Sequence, residues 1–220
     1  MDSAVAAAEA RARGFAIHAL TLDYGQRHEP ELAAAVRVAR SLGAVEHKIV
    51  RVDLAALGGS ALTDELAVPK DRSESEIGHG VPSTYVPARN TVFLAIALAW
   101  AEVVGAFDLF LGVNAVDYSG YPDCRREYLD AFESLARLAT AAGTERGGSF
   151  RIHAPLIEST KADIVRRASE LGVDLGLTHT CYDPVGADGE PLACGRCDAC
   201  SLRLKGFREA GLSDPLRYAH

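Results

Sequence analysis

The stretch FAIHALTLDYGQRHEPELAAAVRVARSLGAVEHKIVRV, residues 15–52, decides the fold class. Phe15 to Leu22 reads as a buried strand. Glu29 to Leu42 places Leu32, Ala35, Val36 and Ala39 on one helical face and stops at Gly43. Val45 to Val52 alternates as a strand does. Strand, helix and strand at this spacing imply parallel pairing with a helical crossover.

The same alternation extends outward. Upstream, Met1 to Arg13 is an alanine-rich helix ending at Gly14. Downstream, residues 57–87 form a long irregular stretch rich in Gly, Ser and Pro. Such loops in a compact domain tend to be functional or mobile. Ala88 to Val104 is an apolar helix, expected to be buried on most sides. Phe107 to Val113 and Arg151 to Ile157 read as strands, and Pro122 to Ala142 as a helix. Thr160 and Asp163 form a capping box opening a helix to Leu171. Ser201 to Ala210 reads as a last helix. The expected fold is therefore α/β: a parallel sheet with helices on both faces. In such sheets ligands sit at the carboxyl ends of the strands. That points to residues 23–28, 114–125 and 158–161.

The chain of 220 residues is 48% hydrophobic and 24% charged, which excludes a disordered chain, a fibre or a disulfide-knotted miniprotein. With 23 basic and 30 acidic residues the net charge is −7. Phosphate-backbone affinity rests on Lys and Arg, so no nucleic-acid partner is expected, and a small-molecule substrate is. The longest apolar run, residues 92–101, falls short of the roughly 18 residues of a membrane span, so no membrane partner is expected. Asp2 and Glu9 spoil a signal-peptide pattern, and the expected location is cytoplasmic.

Of five cysteines, Cys181, Cys194, Cys197 and Cys200 cluster in a Gly-rich segment. Four thiolates with two-residue gaps suit tetrahedral Zn²⁺, and four sulfurs leave no open position, so one structural zinc per chain is expected. An iron–sulfur cluster competes, and His179 is near enough to replace a sulfur. Cys124 stands apart as a lone thiol. Asp117 to Arg125 offers Tyr118, Tyr121, Asp117 and Asp123 as stacking faces and acceptors for a flat heterocycle. A solvated Gly- and Pro-rich turn explains that segment equally well. Gln26, Arg27 and His28 follow a strand, and a solvated connection is their plain alternative. Arg89 and Asn90 open an apolar helix, where a fixed guanidinium suits phosphate and simple capping is the alternative. Lys161, a cation in a first helical turn, hints at an anionic ligand.

The segments LDYGQRH, GGSALTD, TYVPARN, GVNAVDYSGYPDCR, PLIESTKADI and CGRCDAC together resemble the 7-cyano-7-deazaguanine synthases over essentially the whole chain. The resemblance implies a homodimeric enzyme of the PP-loop (ATP pyrophosphatase) superfamily, an adenine nucleotide alpha hydrolase-like fold. It implies a nucleotide-binding α/β domain over residues 1–175 and a zinc-binding region over 176–220. The substrates implied are ATP, ammonia and 7-carboxy-7-deazaguanine, with Mg²⁺ on the triphosphate. By the resemblance Asp2, Ser3 and Lys161 are catalytic. Asp2, Ser3, Arg89, Asn90 and Lys161 bind ATP. Gln26, Arg27, His28, Asp117, Tyr118, Tyr121 and Asp123 hold substrate. The superfamily's phosphate loop reads S-G-G-x-D-S after a first strand. Here Met1-Asp2-Ser3 supplies only its end, so a central strand is expected to be missing, with Met1 at the carboxyl-end side of the sheet, beside the strand Phe15 to Leu22, and a strand-wide gap next to it. A catalytically impaired, zinc-stabilised homologue and a tRNA thiolase of the same superfamily are the alternatives.

Overall fold

The computed structural model describes residues 1–26, 29–64, 66–77, 80–115, 120–186 and 191–219. The helix α1 (Asp2–Ala12) leads to β1 (His18–Asp23), α2 (Glu29–Ser41) and β2 (Glu46–Arg51). A 3₁₀ turn at Ala55–Leu57 and the one-turn α3 (Glu74–Ile77) precede α4 (Arg89–Val104) and β3 (Asp108–Phe110). A second 3₁₀ turn at Pro122–Cys124 opens into α5 (Arg126–Ala139) and α6 (Ala141–Thr144). Then follow β4 (Arg151–His153), α7 (Lys161–Glu170) and α8 (Asp198–Ala210).

The strands are parallel, as the crossover pattern requires. β1 pairs with β2 from His18 opposite Glu46 to Asp23 opposite Arg51. β3 pairs with β4 from Asp108 opposite Arg151 to Phe110 opposite His153. Among the described residues the two pairs are not hydrogen-bonded to each other, so the expected sheet is built as two halves. β3 and β4 are shorter than their apolar runs. Leu111 still donates to the His153 carbonyl, at 2.9 Å. Beyond it Gly112 turns against Ser3, and Pro155 has no N–H to continue a ladder.

One core lies among α4, β3, α5 and β4, around Leu94, Leu98, Leu109, Leu129, Phe132 and Phe150. Burying each such side chain contributes about 1.5–3 kcal/mol. A second core joins Val5 and Ala6 of α1 to Ile164, Val165 and Ala168 of α7 and to Phe207 of α8. The C-terminal helix therefore shares the core of the first helix. It begins at Asp198, three residues earlier than its sequence pattern suggested, because Cys197 takes the extended cap conformation (φ −74°, ψ 161°). Cys200 thus sits in its first turn.

The helix α4 departs from expectation. Leu94, Leu98 and Ala101 are buried, but Thr91, Ala95, Ala99 and Val103 form an exposed row at four-residue spacing, and Val103 is 80% exposed. An apolar sequence all round hides which stripe packs, and here only one does. Among the described residues no helix is long and apolar enough to cross a membrane.

The stretch 57–87 is also less irregular than its composition suggests. Lys70 forms an antiparallel bridge with Cys197. The Asp71 N–H donates to the Arg196 carbonyl at 2.9 Å. Three ion pairs flank that bridge: Lys70 Nζ to Asp183 Oδ2 at 2.5 Å, Arg72 Nη1 to Asp198 Oδ2 at 2.9 Å, and Arg196 forked onto Asp71. Isolated surface pairs contribute little, but a forked arginine with backbone bonds between the same segments fixes their register.

Candidate functional site

The amino ends of α1 and α7 meet at the exit of β3. The capping box at α7 is present: Thr160 Oγ1 accepts from the Asp163 N–H at 3.2 Å, and Asp163 Oδ2 accepts from the Thr160 N–H at 3.0 Å. This places Lys161 in the first turn, where a cation opposes the helix dipole. Asp2 offsets it. Lys161 Nζ donates to Asp2 Oδ2 at 2.5 Å, and Asn114 Nδ2 lies 3.5 Å from the same oxygen. Burial by itself would raise the Asp2 carboxyl. The Lys161 ammonium and its hydrogen bond, with the Met1 ammonium and Arg203, together outweigh it and hold the group below its ordinary range. Asp2 Oδ1 is buried without a hydrogen-bond partner among the described residues.

Glycines permit this convergence. A Cβ at Gly112 would lie 2.5 Å from the Ser3 nitrogen and 2.7 Å from the Asp2 carbonyl carbon. One at Gly206, on α8, would lie 2.8 Å from Lys161 Cβ. The amides at Asp2 and Ser3 precede the first intrahelical acceptor, so they are donors of the kind that bind anions at helix starts. A buried carboxylate oxygen beside an ammonium and these amides suits phosphate oxygens and their divalent counterion. The expectation that Met1 lies at the carboxyl ends holds, since Gly112 follows β3.

A second cluster surrounds the start of α4. The Arg89 guanidinium lies 5.7 Å from the ring centroids of both Tyr24 and Phe93, with Nη1 at 3.5 Å from the Tyr24 hydroxyl. Burial would lower its affinity for the proton, but Tyr24, Tyr182 and Glu31 outweigh that and raise it. Burial pushes the Tyr24 phenol up, against Arg89. Gln26 Oε1 accepts from the Tyr24 N–H at 2.8 Å and closes the turn after β1. The rings of Tyr85 and Tyr121 stack at 5.7 Å with 24° between planes. Asn90 donates from its backbone to Asp123 Oδ2 at 2.9 Å, and from Nδ2 to the Asp123 carbonyl at 3.2 Å. Glu31 of α2 lies within electrostatic reach of Arg89 and of the Met1 ammonium, so the two clusters share one end of the fold.

Asp2, Ser3 and Lys161 are thus together, and Gln26, Arg89, Asn90, Tyr121 and Asp123 belong to the cluster around Tyr24 and the start of α4. Arg27, His28, Asp117 and Tyr118 lie outside the described residues. Sequence reasoning passed over Asn114, fully buried against Asp2, and Tyr24, the arginine's platform. Both sit inside the segments GVNAVD and LDYGQRH. No residue-type argument distinguished them there.

The four clustered cysteines are buried, and their sulfurs lie within 4.8 Å of one another. Tetrahedral Zn²⁺ at roughly 2.3 Å from each sulfur needs them about 3.8 Å apart, a small contraction. His179 is not among the grouped ligands; its Nε2 is buried without a hydrogen-bond partner among the described residues. Backbone N–H groups already point at the sulfurs. Asp183 and Cys194 donate to Cys181 Sγ at 3.3 and 3.2 Å, Arg196 and Cys197 to Cys194 Sγ at 3.4 and 3.3 Å, and Tyr182 to Cys197 Sγ at 3.4 Å. Such donors favour thiolates. Hydrogen bonds from Cys181 and Cys200 pull the Cys197 thiol down, and the same bonds push their own thiols up. Four close sulfurs competing for protons in this way can hold a metal ion.

The family described as Queuosine biosynthesis protein QueC matches residues 1–211. The 7-cyano-7-deazaguanine synthase of Thiobacillus denitrificans is 62% identical over 220 residues, covering 100% of this chain and 94% of that protein. The protein of the same name from Methylococcus capsulatus is 60% identical over 219 residues, 99% of this chain and 94% of its own length. That from Geobacter sulfurreducens is 59% identical over 218 residues, 99% and 89% respectively.

Proposed function

The chain belongs to the queuosine biosynthesis protein QueC family, and from that premise we propose that it is an ATP-dependent ligase converting 7-carboxy-7-deazaguanine and ammonia to 7-cyano-7-deazaguanine. The observation that carries this reading is whole-chain identity near 60% to synthases of that name. The geometry supports it at the level of individual groups.

A carboxylate resists attack by ammonia until one oxygen becomes a good leaving group. Its oxygen attacks the α-phosphorus of ATP, the α–β bond breaks, and pyrophosphate leaves with an acyl adenylate remaining. Ammonia displaces AMP and gives the amide, with loss of a proton. The amide oxygen attacks a second ATP, releasing pyrophosphate and one amide proton, and elimination of AMP with the last N–H proton leaves the nitrile. Lys161 and the Asp2 and Ser3 amides neutralise charge building on the departing phosphates. Asp2 keeps Lys161 at the first turn of α7, and Mg²⁺ with Asp2 Oδ1 would screen the triphosphate. Arg89, held over Tyr24 and Phe93, contributes a second phosphate-binding cation, with Asn90 beside it. Tyr121, with Gln26, Arg27, His28, Asp117 and Tyr118, supplies the walls for the heterocycle.

Cys181, Cys194, Cys197 and Cys200 would hold one Zn²⁺, whose contribution is to fold the 176–220 region rather than to take part in chemistry. The exposed row on α4, with Val103, supports a homodimer, and the cytoplasm is the matching compartment. The test is incubation of the zinc-loaded protein with ATP, ammonium and the deazaguanine acid. Two AMP formed per nitrile, the product identified by mass, is the expected result. AMP release that does not depend on the acid would refute the assignment.

A further inference from the structure

We propose that Asp123 is a positioning residue of the nucleotide site: its carboxylate caps α4 from outside the helix and so fixes Arg89. This inference rests on the reading of Arg89 as a phosphate-binding cation. The residue at the cap position of α4 is Ala88, which has no side-chain acceptor and takes a left-handed backbone (φ 52°, ψ 23°). A non-glycine residue holds that conformation only where its surroundings enforce it. Asp123 supplies the missing cap. Its Oδ2 accepts the Asn90 N–H at 2.9 Å, the bond a cap side chain makes to the second helical residue.

The arrangement closes on itself. Asn90 Nδ2 reaches back to the Asp123 carbonyl at 3.2 Å and to Cys124 Sγ at 3.0 Å, across 33 and 34 residues of sequence. Asp123 is only 6% exposed and Cys124 3%. The Ala88 N–H, on the other side of the turn, donates to the Tyr85 hydroxyl at 3.1 Å. Arg89 sits between these anchors, so the direction in which its side chain leaves the helix is set by where the first turn begins. That turn starts where Asp123 binds it. Asp123 Oδ2 is thus engaged by α4, and its effect on catalysis passes through Arg89.

The experiment is a double-mutant cycle on the zinc-loaded protein. Affinity for α,β-methylene ATP and for 7-carboxy-7-deazaguanine is measured separately by calorimetry in wild type, Asp123→Asn, Asp123→Ala, Arg89→Ala and Asp123→Ala/Arg89→Ala. A hydrogen bond to a charged group is large enough to predict about tenfold weaker nucleotide binding in Asp123→Ala. Acid affinity should be unchanged, Asp123→Asn should rescue because its amide oxygen still accepts, and Asp123→Ala should add nothing further once Arg89 is gone. If Asp123→Ala does not fold, Asp123→Ser takes its place in the cycle. Weakened acid affinity with intact nucleotide affinity would overturn the proposal and make Asp123 a heterocycle acceptor. Additive effects of the two substitutions on the nucleotide would also overturn it. Unchanged nucleotide affinity in Arg89→Ala would instead refute the underlying reading of Arg89.

Discussion

Replacing Arg203 by methionine removes the largest fully buried side chain, and the bonds around it set the cost. Its Nε and Nη2 fork onto Asp214 at 2.8 and 2.9 Å, Nη1 donates to Thr178 Oγ1 at 2.8 Å, and Nη2 also reaches the Leu175 carbonyl at 3.0 Å. The substitution keeps most of the volume against Phe207 but leaves Asp214, among the described residues, with the Tyr218 hydroxyl and the Leu216 N–H. Breaking a buried pair by removing one partner costs about 3–5 kcal/mol. For a chain of this length each kcal/mol moves the melting temperature by about 2–4 °C, so a fall of roughly 6–20 °C is expected. Scanning calorimetry on zinc-loaded protein measures it, with metal content determined in parallel. Arg203→Met/Asp214→Leu removes both charges and should recover part of the loss, giving a coupling on the order of 0.5–3 kcal/mol. A single variant that melts within about 3 °C of wild type, or a double variant with merely additive loss, would refute the argument.

Gly112→Ala pushes a methyl group into the Asp2–Ser3 backbone. Because ångström-scale misplacement costs about 100-fold in rate, AMP formation should fall by that order while circular dichroism stays native. Cys197→Ser should drop bound zinc well below one per chain by atomic absorption. Limited proteolysis should then cut faster in residues 57–87 as well as near the cysteines, because the Lys70–Cys197 bridge joins them. Asp2 is held below its ordinary value of 3.8, so the stability its ionised form contributes is complete above that value and drains away as pH falls through the lower folded-state pKa. Asp2→Asn should therefore flatten the acid limb of a melting-temperature profile.

The parts legible in the sequence are those encoded within a dozen residues. The β1–α2–β2 unit, the Thr160–Asp163 capping box and the cysteine spacing each rest on local period, chemistry or turn signals. Strand ends were less legible, because Gly112 and Pro155 stop β3 and β4 through tertiary contact and a lost donor, while the apolar runs continue. α4 misled for a different reason: an all-apolar sequence carries no record of which stripe is packed. The Arg203 network and the ion pairs at Lys70, Asp71 and Arg72 left no local trace. Arg203 reads as an ordinary helix-surface cation until Asp214 folds back upon it. Asp123 illustrates the limit for site residues. Its place in a polar, aromatic loop points to ligand contact and gives no hint of the bond its carboxylate makes to a backbone 33 residues away.

The ladder between residues 70–72 and 183–198 also imposes an order of events during synthesis. The Asp71–Arg196 and Arg72–Asp198 partners are separated by 125 and 126 residues. At roughly 5–20 residues per second, the earlier segment waits about 6–25 s before its partners leave the ribosome. Throughout that interval β1, α2 and β2 can already be paired. The segment carrying Tyr85 and Pro87 toward α4 still lacks its anchor. That part of the fold is therefore assembled last, by the stretch of chain that carries the cysteines, and the gathering of the four sulfurs becomes a condition on when it can form.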